Sequence, residues 1–297
     1  MEIYSNGKIL ITGEYVILDG ALSLACPTKF GQHLTFDDNK SNLINWKSIN
    51  YDGNIWFECS IKNKNLEIKS TSSKKVSNTL VRIITQIREY NPSFLKKKGS
   101  DITSKLTFDK NWGLGSSSTL ISNLAKLSGV DPYILNNNIF KGSGYDIACA
   151  GKISPIVYQL NKDHRVIDEV TFKPSFHEKI YFVYLNAKQS SISEIAKYNN
   201  TATDLIISEI SNITSMFLKC NSLEEFNKLI ESHEFIISKL ISRSTVKETL
   251  FKDFNGSIKS LGAWGGDMIM VTSYDDPKEY FKKKGYSIII KYEDMVL

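Results

Sequence analysis

The segment Gly113-Leu114-Gly115-Ser116-Ser117-Ser118 is rich in glycine and serine and separates two stretches of different apolar periodicity. Residues 102–108 alternate apolar and polar side chains, which predicts a strand, whereas residues 120–127 carry leucine and isoleucine at helical spacing. A helix that opens behind glycines presents unpaired N–H groups and the positive end of its dipole, and both favour phosphate. The segment predicts a phosphate-binding loop, with an ordinary capped helix behind a glycine turn as the alternative. It is not a Walker A loop, because no Gly-Lys-Ser/Thr follows.

The order of the predicted elements indicates two lobes of α+β structure. Short strand candidates and a helix over residues 77–90 make up most of the first half. After Gly151 come two strand candidates, a long helical stretch over residues 193–250 and a β-β-α-β ending. We therefore expect an N-terminal lobe over residues 1–152 and a C-terminal lobe over residues 153–297.

The beginning of the chain predicts a β-hairpin. Asp19-Gly20 lies between two apolar runs, residues 16–18 and 21–25, and two-residue hairpin turns favour Asp-Gly because both positions need positive φ. Glu14 falls inside the same apolar stretch. A buried carboxylate needs a partner, so we expect one for Glu14.

Composition excludes several classes of protein. Hydrophobic residues make up 41% and charged residues 23% of the 297 residues, values typical of a globular chain. The net charge of +5 is mild and no basic stripe is interleaved with aromatic residues, so we expect no nucleic-acid partner. No signal peptide is visible and no apolar run reaches the roughly 18–20 residues of a membrane helix, which predicts a cytoplasmic protein without a membrane partner.

Cysteine and histidine spacing predicts no structural zinc site. The cysteines are far apart in the sequence and we interpret them as buried thiols: Cys26, Cys59, Cys149 and Cys220. His233-Glu234 is similar to the start of a zinc-protease motif, but Ile237 and Ser238 stand where a second histidine is required.

Two further glycine-rich segments are candidates for chemistry. In Gly142-Ser143-Gly144-Tyr145-Asp146, the aspartate opens a predicted helix, where it acts either as a helix cap or as a base for a hydroxyl proton. Residues 262–267, Gly-Ala-Trp-Gly-Gly-Asp, lie between two apolar strands. They form either a plain hairpin loop or a loop packed beside the phosphate segment. Lys8 precedes the first strand and is a further candidate.

In this order, the segments resemble the motifs of the GHMP kinase superfamily, which includes galactokinase, homoserine kinase, mevalonate kinase and phosphomevalonate kinase. Residues 7–20 resemble the first motif, residues 113–118 the nucleotide loop, residues 143–146 the aspartate motif and residues 262–267 the third motif. The resemblance implies an N-terminal, nucleotide-binding lobe of the ribosomal-S5 type and a C-terminal ferredoxin-like lobe. It also implies ATP and Mg²⁺ as cofactors and a small-molecule alcohol or phosphate as acceptor.

The resemblance also implies a role for each matching residue. Asp146 would be the catalytic aspartate, Lys8 its cationic partner, and Ser117 the magnesium contact. The remaining matches divide between the nucleotide phosphates and the acceptor. On the nucleotide side are Gly113, Leu114, Gly115, Ser116, Ser117, Ser118, Gly265 and Gly266; on the acceptor side are Glu14, Tyr15, Ser143 and Gly144.

The chain departs from the family pattern at four places. Tyr15 stands where mevalonate kinases have histidine, and Trp264 stands where a glycine is usual. Residues 135–138 contain no magnesium-binding glutamate, and residues 109–112 lack the proline that usually precedes the second motif. The implied acceptor is mevalonate or phosphomevalonate, in isoprenoid synthesis, with a sugar or another small alcohol as the alternative. A catalytically impaired ATP-binding regulatory protein is the alternative from another class. The sequence leaves a homodimer open.

Overall fold

The computed structural model describes residues 1–140, 142–162, 164–187, 194, 198, 201–264 and 266–297. Helices and strands are mixed along the described chain, which confirms the predicted α+β class. The contacts divide the chain into two compact units. The first unit contains Met1–Gly7, Phe30–Lys110 and Leu114–Gly151, and the second contains Lys8–Lys29, Asn111–Gly113 and Lys152–Leu297.

The first unit is built on a mixed sheet with the strand order β5-β4-β3-β6-β2, in which β3 and β6 are parallel and the other neighbours antiparallel. Strand β1 pairs with β2, and both strands continue into the second unit. The elements are β1 (Glu2–Leu10), β2 (Ser23–Asn39), β3 (Leu43–Ile49), β4 (Ile55–Lys62), β5 (Ile68–Thr71), α1 (Lys74–Tyr90), β6 (Gly99–Leu106), α2 (Ser116–Ser128), α3 (Pro132–Ile139) and α4 (Tyr145–Ala150).

Helical periodicity explains how the core of the first unit closes. Leu80, Ile83, Ile84 and Ile87 recur at helical spacing, and α1 buries this face against the inward side chains of the sheet. Helix α2 ends at Gly129, whose φ of 72° supplies the left-handed conformation of a C-cap. Helix α2 follows β6 along the chain, with the glycine- and serine-rich segment between them, as predicted from the sequence.

The second unit contains a four-stranded antiparallel sheet with the order β10-β11-β9-β12. If β9, β10, β11 and β12 are numbered 1 to 4 in chain order, the strands lie side by side in the order 2-3-1-4. This is the ferredoxin-like arrangement. The elements are β7 (Ile156–Asn161), β8 (His164–Glu169), β9 (Ile180–Tyr184), α5 (Asp204–Lys219), α6 (Leu223–Leu240), α7 (Val246–Leu250), β10 (Ile258–Ser260), β11 (Met268–Thr272), α8 (Lys278–Lys283), β12 (Ile289–Lys291) and α9 (Tyr292–Met295).

The predicted hairpin around Asp19-Gly20 is wrong. Val16–Asp19 forms a 3₁₀ helix, and Gly20 caps it with a φ of 93°. The Asp-Gly pair marks a turn, as expected, but the turn ends a short helix instead of joining two strands. Local apolar content cannot separate these outcomes, because a buried single turn of helix is as apolar as a buried strand.

Two simpler expectations concern burial. All four cysteines are buried thiols, as predicted. Within the part of the chain that the structure describes, no helix has the length and hydropathy needed to cross a membrane.

Candidate active site

The glycine- and serine-rich segment opens α2 in the predicted way. Gly113 has a φ of 73°, and Gly115, the N-cap, has a φ of 91°. No side chain caps the helix, so the amides of its first turn are available to an anion. The Ser118 hydroxyl donates to the Gly115 carbonyl at 2.9 Å and is buried, whereas Ser117 is exposed.

Gly113 is a point of close approach within the second unit. Lys8 Nζ donates to the Gly113 carbonyl at 3.1 Å. A Cβ built on Gly113 would lie 2.6 Å from Oδ2 of Asp267. Glycine is therefore required at position 113, and three of the segments identified in the sequence meet at this residue.

Asp146 lies in the first turn of α4, within the first unit. Gly144, with a φ of 88°, precedes the helix and no side chain caps it. Asp146 Oδ1 accepts a hydrogen bond from the Ile147 N–H at 3.0 Å, and the side chain is half-buried. Helix α4 packs against α2, so the aspartate and the serine-rich turn belong to the same packed helices of this unit.

Glu14 lies in a buried cluster of charged groups in the second unit. Its side chain is 0% exposed, and Lys259 Nζ donates to its Oε1 at 2.7 Å. His233 Nε2 accepts from the Gly13 N–H at 3.0 Å and lies 3.3 Å from Oε2 of Glu14. Burial raises the pKa of Glu14, against the opposing effect of Lys259. Burial, with the charge of Lys259, places the pKa of His233 well below its usual value, so the imidazole is neutral.

Glu234 completes this group, which we call the buried charge cluster: Glu14, His233, Glu234 and Lys259. Glu234 accepts from the Ser260 N–H at 3.1 Å and bonds the Ser260 hydroxyl at 3.0 Å, while Lys259 Nζ donates to the Ser260 carbonyl at 3.1 Å. Burial raises the pKa of Glu234 to about 8. The cluster therefore packs one cationic side chain against two carboxyl groups and an imidazole, and burial favours the neutral form of each carboxyl and of the imidazole.

Tyr15 packs against the glycine-rich loop of the second unit. Its hydroxyl accepts from the Trp264 N–H at 3.3 Å, its ring lies 5.4 Å from that of Tyr198, and burial raises its pKa. Trp264 is almost fully buried, and its ring N–H has no hydrogen-bond partner among the described residues. Arg243 lies beside this loop, where it pairs with Glu194 at 2.7 Å and donates to the Trp264 carbonyl.

The remaining predicted positions divide into two groups. Gly266, Ser143 and Leu114 are buried, and Gly265 lies outside the described residues. Across the described chain, no group of three or more histidine, cysteine, aspartate or glutamate side chains could hold a metal ion. The polar groups around the start of α2 are serine hydroxyls, which can ligate Mg²⁺, and backbone N–H groups, which can bind phosphate oxygens. This set suits a magnesium ion whose other ligands are mainly nucleotide phosphates and water.

Sequence reasoning missed three members of the buried charge cluster. It considered His233-Glu234 only as a zinc motif and did not consider Lys259. A lysine in a strand between apolar and small residues was the available signal, because Glu14 already required a buried partner. The partner that Glu14 was expected to have is therefore present.

Comparisons with known proteins identify solved structures of similar fold. No family model matches the chain and no curated protein matches it, but solved structures do. Streptococcus pneumoniae phosphomevalonate kinase, in complex with phosphomevalonate and AMPPNP, has a TM-score of 0.68 and 15% identity, covering 96% of this chain and 95% of that chain. L. major mevalonate kinase with R-mevalonate has a TM-score of 0.67 and 11% identity, covering 98% and 94%. Lactococcus lactis galactokinase with galactose has a TM-score of 0.62 and 14% identity, covering 95% and 87%.

These matches define the class of fold. All three structures are GHMP kinases, and the alignments cover nearly the whole of each chain. The chain has the GHMP kinase fold, which confirms the resemblance predicted from its motifs.

Proposed function

We propose that this protein is a small-molecule kinase that transfers the terminal phosphate of ATP to an alcohol or phosphate group. The meeting of Lys8, Gly113 and Asp267 carries this proposal, because it brings together residues of three motifs that are far apart in the sequence. The AMPPNP bound to the phosphomevalonate kinase of similar fold supports a nucleotide donor.

Each part has a role in this proposal. Phosphoryl transfer depends on positioning and charge neutralisation more than on covalent participation by the protein. The uncapped amides at the start of α2, with Ser116 and Ser117, hold the β- and γ-phosphates. Lys8 offsets negative charge that develops on the transferred group, and Asp146 accepts the proton of the acceptor hydroxyl. Mg²⁺ held by the phosphates and Ser117 would neutralise phosphate charge.

The proposed acceptor is mevalonate or phosphomevalonate. Two of the matched structures are named for these substrates, and a third, a galactokinase, makes a sugar the next candidate. A panel that measures ATP consumption with mevalonate, phosphomevalonate, homoserine and hexoses distinguishes them. Turnover with one of the first two supports the proposed acceptor, and turnover only with a hexose or homoserine replaces it.

Asp146→Asn tests the proposed base. We expect turnover to fall by about 10²–10⁴-fold, the usual contribution of a positioned general base, while the melting temperature stays within a few degrees. The measurement is kcat by coupled ADP release, alongside a thermal melt. The fold and the Ile147 contact tolerate asparagine, since its oxygen can still accept that hydrogen bond.

Asp131→Asn is the matched control, since it makes the same chemical change in the same unit. Asp131 caps α3 by accepting from the Tyr133 N–H, and asparagine caps equally well. Normal turnover in Asp146→Asn would remove the base role. ATP binding without consumption of ATP by any acceptor would favour the regulatory protein over the enzyme.

A further inference from the structure

We propose that His233, Lys259 and Glu234 are positioning residues that hold the turn Gly13-Glu14-Tyr15 in shape for the acceptor, and that Glu14 acts inside this cluster instead of touching the acceptor. The inference rests on the proposed function and deepens it. It gives a role to His233, Lys259 and Glu234, which take no part in the proposed mechanism.

The turn has a backbone conformation that needs support. Tyr15 has a φ of 66° and a ψ of −54°, which a side chain other than glycine rarely adopts. Such conformations cost about 1–3 kcal/mol and persist only where the surroundings determine them. Gly13 has a φ of 93°, and a Cβ there would lie 2.0 Å from the Ser23 hydroxyl oxygen. Both residues are buried, so solvent does not stabilise the turn.

His233 supports the turn at its backbone. The Gly13 N–H is buried and donates to Nε2 of His233. A neutral imidazole is needed for this bond, because a protonated Nε2 has no lone pair to accept with. The same bond means that Nε2 has no proton for Glu14 Oε2, which accordingly has no hydrogen-bond partner in the described chain. His233 therefore acts on the Gly13 backbone, and Lys259 acts on the Glu14 carboxylate.

Lys259 and Glu234 connect the turn to the glycine-rich loop. Lys259 bonds Glu14 and the Ser260 carbonyl, and Glu234 bonds the Ser260 N–H and hydroxyl. Ser260 ends β10, two residues before Gly262 of the glycine-rich loop. The Tyr15 hydroxyl accepts a hydrogen bond from the Trp264 N–H in that loop. Glu14 is thus linked through Lys259 to the end of β10, and Tyr15 is bonded directly to the loop that follows β10.

This arrangement predicts a selective kinetic defect. A loosened turn displaces Tyr15, on the proposed acceptor side, and leaves the amides of α2 in place in the other unit. We therefore expect weakening of the interaction with the acceptor without weakening of the interaction with the nucleotide. A role in overall stability alone would alter neither KM.

The experiment compares His233→Leu, His233→Gln and Phe281→Leu. Leucine removes the acceptor of the Gly13 N–H, whereas the glutamine oxygen can replace Nε2. Phe281 is fully buried among Phe251 and Phe254 in the same unit, so Phe281→Leu lowers stability away from the cluster. For His233→Leu we expect the acceptor KM to rise about tenfold at unchanged ATP KM, with partial rescue by His233→Gln. Phe281→Leu should leave both constants unchanged.

Hydrogen exchange separates this inference from the proposed function. Amides 13–15 should exchange about tenfold faster in His233→Leu than in wild type, and at the wild-type rate in Phe281→Leu. Equal exchange in the two leucine variants, or equal changes in both KM values, overturns the positioning role. If wild type turns over no acceptor while exchange responds as expected, the proposed function fails and the support of the turn by His233 stands.

Discussion

Two lysines of the second unit, Lys8 and Lys259, illustrate different uses of the same side chain. Lys8 is half-buried and donates to the backbone carbonyl of Gly113, at the start of the proposed phosphate loop. Lys259 is fully buried and forms an ion pair with Glu14. Part of Lys8 is within reach of a ligand, whereas Lys259 can act only through the residues that surround it.

The difference shows that one lysine can serve catalysis while another serves the stability of the fold. A buried ion pair gives little net stability, because the loss of hydration offsets most of the attraction. Removing one partner is costly, however, because the other charge is left buried without compensation. Lys8→Met should therefore affect catalysis and Lys259→Met should affect folding, and the following variants test that division.

Lys8→Met carries the largest expected effect. We expect kcat to fall by about 10²–10³-fold, the range found when one preorganised hydrogen-bond donor that stabilises a transition state is removed. The free energy of unfolding should change little, since methionine keeps the apolar stem of lysine. Steady-state kinetics with the active acceptor and urea unfolding measure the two quantities.

Lys228→Met is the control for this substitution. Lys228 is 71% exposed and pairs only with Glu224 one turn earlier on α6, among the ion pairs of the described residues. Its kinetics should equal those of wild type. A Lys8→Met variant with a lower free energy of unfolding and an unchanged kcat would contradict the proposed difference between the two lysines.

Lys259→Met should lower the free energy of unfolding by about 3–5 kcal/mol, because the Glu14 carboxylate is left alone in the protein interior. Glu14→Gln combined with Lys259→Met removes both charges, and most of that loss should be recovered. Urea unfolding of the two variants measures the recovery. A double variant as unstable as Lys259→Met would mean that shape, not charge, makes Lys259 necessary.

The proposed phosphate loop was predictable because glycine carries its conformational requirement in its identity. Gly113, Gly115 and Gly144 all have positive φ, and a helix follows each of the two segments at the expected place. The β-β-α-β ending of the second unit was readable for a similar reason, since its strands and helix have distinct periods. Local chemistry determined these features.

The buried charge cluster was not predictable in the same way. Glu14 and Lys259 are 245 positions apart in the sequence, so no local pattern joins them. The sequence indicated that Glu14 needs a partner, but many lysines were available, and only the packing of α6 and β10 selects one. The 3₁₀ helix at Val16–Asp19 was missed because its apolar residues suit a buried strand equally well.

Glu234→Gln is expected to have the smallest effect of these variants. It tests how many buried carboxylates balance the charge of Lys259. Burial raises the pKa of Glu234 from its usual 4.5 to about 8, with the charge of Glu14 adding to the rise and that of Lys259 opposing it. The folded state therefore binds this proton more tightly than the unfolded state does. The resulting stability is fully present below pH 4.5, decreases as the pH rises, and is lost above about pH 8.

Glutamine should remove that decrease, because its oxygen can accept from the Ser260 N–H and its amide can donate to the Ser260 hydroxyl at every pH. The measurement is the difference in free energy of unfolding between wild type and Glu234→Gln from pH 5 to pH 9. His233, whose pKa is depressed in the fold, lowers stability at acid pH in both proteins and cancels in that difference. A difference that does not vary with pH would mean that Glu234 is ionised throughout, and that Lys259 is balanced by two buried carboxylates, whereas Lys8 is bonded to a neutral carbonyl.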